Sequence, residues 1–88
     1  MPTFSARRGG PAVEARVEWR CERRHAETPV ALAIAGERHE VGVVERWVEG
    51  PVEAGGPLVR CFVVRVAWSA AYLVRHDSAG AVSVSLVQ

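Results

Sequence analysis

The stretch VEARVEWRC, residues 13–21, alternates without a break. Val13, Ala15, Val17, Trp19 and Cys21 share one side, and Glu14, Arg16, Glu18 and Arg20 share the other. In an extended chain successive side chains point to opposite faces, so a strict period of two predicts a strand buried on one side. No segment of the chain shows the 3.6-residue period of an amphipathic helix, and valine dominates its apolar positions. That pairing of alternation with valine restricts the chain to sheet.

The remaining segments read the same way. After Pro29 the apolar run VALAIA predicts a short strand, and Gly36 with Glu37 predicts a type II′ hairpin turn. RHEVGVVERWVE predicts a longer strand whose pattern slips. Val41 and Val43 share a face while Val44 and Val48 take the other, which places a bulge or bend at Gly42. GPVEAGGP, residues 50–57, is a loop on composition. LVRCFVVRVAW is apolar on both faces, as in a central strand or one curling through a small barrel. A turn near Ser69 leads into AYLVRH, and DSAG, residues 77–80, predicts a type I turn with Gly80 left-handed. The last strand places Val82, Val84 and Leu86 inward and Ser83 and Ser85 outward. These signals predict an all-β protein: a single antiparallel meander of about six strands, barrel-like or strongly coiled. Residues 13–88 form its one small domain, and residues 1–12 read as a flexible tail.

With 88 residues the chain supports one compact core and little room for a deep enclosed site. It has no apolar run of the ~18 residues a membrane helix needs. The opening MPTFSARRGGP lacks the apolar stretch of an export signal, so the expectation is a cytoplasmic protein with no membrane partner. Eleven basic residues, all arginine, nearly cancel ten acidic ones, for a net charge of +1. A dedicated nucleic-acid binder usually shows a marked basic excess.

The residues bear on three kinds of chemistry. Cys21 and His25, with Cys61 and His76, could make a zinc set, but structural zinc sites show close cysteine pairs and none exists here. Both cysteines read as small buried hydrophobes, with Cys21 on the inward face of its strand. A nucleophilic cysteine needs a base beside it, and burial of Cys61 among valines disfavours its thiolate. The expectation is therefore no enzyme, no metal and no cofactor. The arginines remain. Arg20, Arg23, Arg24 and His25 cluster at the end of the first strand, Arg38 follows the next turn, and Arg46 stands beside Trp47. Trp19, Phe62 and Trp68 fall on apolar faces and read as core, whereas Trp47 and Tyr72 could reach the surface.

From about Val30 onward the layout resembles an uncharacterised family of small bacterial β domains often encoded beside Y-family, translesion-type DNA polymerases. The resemblance rests on Gly36 and Val41, on Trp47, on Phe62 with Arg65 and Val66, on Tyr72 and Leu73, and on Asp77 with Gly80. It departs at His39, where the family has an aromatic residue, and after Gly80, where Ala81 and Val82 replace a usual tryptophan. It implies an accessory role near lesion bypass.

The sequence thus predicts a non-enzymatic binding module that docks a protein partner, using Arg46 and Trp47. The alternative is single-stranded nucleic acid held by Arg20, Arg23, Arg24 and Arg38 with a nearby ring. A homodimer paired through exposed strand edges is a third expectation.

Overall fold

Seven antiparallel strands make up the structure, a computed structural model that describes residues 9–22, 25–50, 54–67 and 70–87. They are β1 (Gly9–Ala12), β2 (Ala15–Glu22), β3 (His25–Ile34), β4 (Glu37–Glu49), β5 (Val59–Val66), β6 (Ala70–Asp77) and β7 (Val82–Val87). The described residues contain no helix, hence none that could cross a membrane. The sheet order is β1-β7-β6-β5-β4-β3-β2, a meander with one addition, curled into a half-barrel. The all-β meander expected from alternation is what forms.

The addition is β1. Residues 9–12, assigned to the tail on sequence, pair with β7, Gly9 opposite Val87 and Ala12 opposite Ser85. Val13 continues the contact by donating its N–H to the Val84 carbonyl at 2.8 Å. Only Val13 and Glu14 separate β1 from β2, which lies at the other end of the strand order. Consecutive α-carbons stand ~3.8 Å apart, so the two ends of the sheet must meet here. That short link is what curls the sheet.

The curl also divides the sheet. β3 pairs with β4 only through residues 31–34 against 37–40, after which β4 continues against β5 alone. The β2–β3 hairpin therefore lies across the concave face of the other strands. Its inward side chains Ala15, Val17, Trp19 and Ile34 pack on a core of Leu32, Phe62, Val64, Val74 and Val84. Full burial of each large core side chain contributes about 1.5–3 kcal/mol. The shortest dimension, 20 Å, is that of two sheet layers packed ~10 Å apart.

Several local devices differ from expectation, each for a definable reason. Pro29, expected to precede a strand, sits inside β3 opposite Trp19, where the register slips by one residue. A bulge tolerates proline because a ladder hydrogen bond is already missing there. The first turn falls at Ala35 and Gly36, with φ of 53° and 83°. Two positive values make it type I′, whose twist matches the flanking strands better than the expected placement at Gly36 and Glu37. The slip in β4 lies between Val43 and Glu45, so Val44 rather than Gly42 is the bulged residue. The last hairpin closes as its DSAG motif implies. Asp77 Oδ1 accepts from the N–H groups of Ala79 and Ala81 at 2.9 Å, and Gly80 takes φ 102°.

Candidate binding surface at the open end of the half-barrel

The bulge at Val44 decides which β4 side chains face inward. Before it Val41 and Val43 point to the concave face; after it Arg46 and Val48 do. Arg46 pairs with Phe62, which pairs with Val74, which pairs with Val84. The next row outward runs Val48, Arg60, His76, Val82 across four strands. These two rows line the concave face at the end remote from the Ala35–Gly36 turn.

Their exposure is unusual for the inside of a sheet. Val48 is 58% and Val82 42% exposed, and Leu58, just before β5, is 51% exposed. Phe62, by contrast, is only 3% exposed. The Arg46 guanidinium lies over its ring, 5.9 Å from the centroid, and Trp19 meets it edge-on at 5.9 Å. Trp19 also stacks on His76 at 4.8 Å with the rings tilted by 36°. The Nδ1 of His76 is buried and finds no hydrogen-bond partner among the described residues. An unmet buried polar atom is rare and costly.

The charge of this surface, among the described residues, is one-sided. Among the described residues neither Arg46 nor Arg60 has a carboxylate partner, and no carboxylate shares their rows. As diagonal neighbours on adjacent strands their β-carbons lie roughly 7–8 Å apart, close enough for both to reach one anionic group.

The residues singled out on sequence are distributed otherwise. Arg46 and Trp47 are adjacent on a strand and so point to opposite faces, Arg46 inward and Trp47 outward. Trp47 packs against a convex cluster of Cys61, Val63 and Leu73 and donates its Nε1–H to Glu49 at 3.2 Å. Glu49 also accepts from Arg75 at 2.9 Å, and these bonds hold its carboxyl below the usual range. Arg38 lies at the other end of the sheet, on the convex face. Its Nε donates to Glu18 Oε2 at 2.8 Å and its Nη1 lies 3.7 Å from Glu40. Arg38 holds the Glu18 carboxyl low, and its own charge is spent between two carboxylates. Arg20 is exposed on β2, while Arg23 and Arg24, like Trp68, lie outside the described residues. Cys21 is exposed, against its expected burial, because β2 runs past the core toward its open end. Tyr72 is half-buried, packed against the concave core.

Arg60 and the exposed valines do not stand out on sequence, and His76 does so only as a possible zinc ligand. The slip of phase within β4 was the one available signal, since it moves Arg46 and Val48 onto the face that Arg60 shares. Among the described residues no three histidine, cysteine or acidic side chains converge. Cys61 is buried on the convex face, and burial, then the nearby Glu49 charge, pushes its thiol up to about 11. Comparison with protein-family models, curated proteins and solved structures finds no match.

Proposed function

We propose that the protein is a non-enzymatic binding module whose open concave end captures a protein partner through an acidic segment interspersed with apolar side chains. The observation that carries this reading is the row Val48, Arg60, His76, Val82, in which exposed apolar groups flank Arg60, with Arg46 in the next row; neither guanidinium has a carboxylate partner among the described residues. Apolar contacts would supply affinity and the two guanidinium groups orientation, a carboxylate being bound in fork geometry. The family resemblance adds a context, an accessory role in DNA damage tolerance, without naming the partner.

A second reading, single-stranded nucleic acid, draws on the same cations together with exposed Arg20. Against it stands the covering of the Phe62 ring by Arg46 and Trp19, since stacking of bases requires an open ring face.

A peptide-display selection on the immobilised protein separates the two. Enrichment of acidic residues spaced among apolar ones, lost in an Arg46→Glu/Arg60→Glu variant that stays folded, is the expected result. Enrichment indifferent to that variant removes the surface from consideration. Salt-sensitive binding of a short single-stranded oligonucleotide, with no peptide enrichment, transfers the site to nucleic acid.

A further inference from the structure

β2 is an end strand: among the described residues it pairs with β3 along one side, and no backbone hydrogen bond joins its other side to the sheet. Such an edge is a template for another strand unless its side chains forbid the pairing. The outward face of β2 and the residue before it carry Glu14, Arg16, Glu18 and Arg20, alternating in sign at every second residue.

This pattern has a consequence for self-pairing. In an antiparallel pair of identical strands, the residues opposite one another are set by the position of the two-fold axis. An axis through an outward residue such as Glu18 would oppose Glu18 to Glu18 and Arg16 to Arg20, like against like. An axis through an inward residue opposes glutamate to arginine at each outward pair. Two inward residues are available, Val17 and Trp19. An axis at Val17 would draw Val13 and Glu14 into the pairing, but the Val13 N–H is already bound to the Val84 carbonyl. An axis at Trp19 uses residues 16–22, all within β2.

We infer that β2 is the contact of a two-fold homodimer, paired antiparallel about Trp19, with Glu18 of each copy opposite Arg20 of the other. Glu18 gives only Oε2 to Arg38, leaving Oε1 for the incoming guanidinium. Arg20 is exposed and has no partner among the described residues. The pairing sets the two concave faces side by side, with Trp19 of each at the seam. One short strand buries less than the ~800 Å² per partner of a stable interface, so the dimer is concentration-dependent and weakened by salt.

Sedimentation across a concentration series tests this. The wild-type chain should approach twice its 9.6 kDa mass as concentration rises. Arg20→Glu, which breaks no contact within the described chain, should stay monomeric with an unchanged circular-dichroism spectrum; Glu18→Arg, which also gives up the exposed bridge to Arg38, should stay monomeric too. An equimolar mixture of those two variants should recover the dimer, because glutamate again faces arginine across the axis. Tryptophan emission should shift on dilution of the wild type and not of Arg20→Glu. A wild type monomeric throughout the series, an Arg20→Glu dimer, or a mixture that stays monomeric overturns the inference. Arg20→Glu leaves Arg46 and Arg60 untouched, so peptide binding at the open end is scored separately.

Discussion

The two faces of the sheet bury apolar clusters by different means. On the concave face Leu32, Phe62, Val64, Val74 and Val84 are covered by a second layer, the β2–β3 hairpin folded across them. On the convex face Cys61, Val63 and Leu73 lie under side chains of their own sheet, Trp47 among them, beside the Glu49–Arg75 bridge. β5 is apolar on both faces because it serves both clusters. The contrast teaches that burial alone does not identify the core of a single curled sheet. What differs is whether backbone or only side chains must move to expose it.

The comparison can be broken by truncation. Leu32→Ala leaves a cavity between two layers and should cost toward the upper part of the ~2–5 kcal/mol range for such changes. Leu73→Ala should cost toward the lower part, because surface side chains can settle into the space. Urea unfolding of both variants measures the difference, and equal losses would mean that the convex cover is as rigid as the hairpin.

Thiol chemistry sharpens it. Cys21 is exposed and Cys61 is buried, with its thiol raised from 9.0 to about 11. Alkylation near pH 8 should therefore label one thiol per chain quickly and the second only after unfolding. Two fast thiols would show that the convex cover opens readily. The linkage has a sign as well. A raised thiol contributes stability that is present below pH 9 and lost as pH climbs through about 11.

The smallest expected effect concerns the bridge itself. Arg75, then Trp47, holds the Glu49 carboxyl below its ordinary 4.5. Its contribution is present above pH 4.5 and disappears as pH falls through the lowered value. Since both partners are partly exposed, Glu49→Gln should cost less than ~1 kcal/mol at neutral pH. It should also flatten the acid limb of a thermal-melt series, and an unchanged acid limb would show the bridge idle.

Much of this architecture was legible in residues 13–22 and 37–87, where alternation and turn residues coincide. β1 was not, because GGPA combines residues of low strand propensity and carries no period. Its partner lies more than seventy residues away in the chain, beyond any local signal. The binding surface was half legible. Arg46 stood out beside Trp47, but a strand separates neighbours onto opposite faces, and the bulge set which one went inward. The neutralisation of Arg38 depends on the β2–β3–β4 register, in which Glu18 faces Ala31 and Arg38 faces Ala33. No reading of either residue alone could supply that.

The pairing of β1 with β7 bears on how the chain reaches this state. Every other ladder joins strands consecutive in sequence, so the hairpins can form in any order from local closures. Closure through β1 joins residues near opposite ends of the chain, and its loop entropy can be offset only after the intervening strands have assembled. On a ribosome it must wait until β7 has emerged. Of the seven strands, β1 would thus be made before the other six and take its place after them.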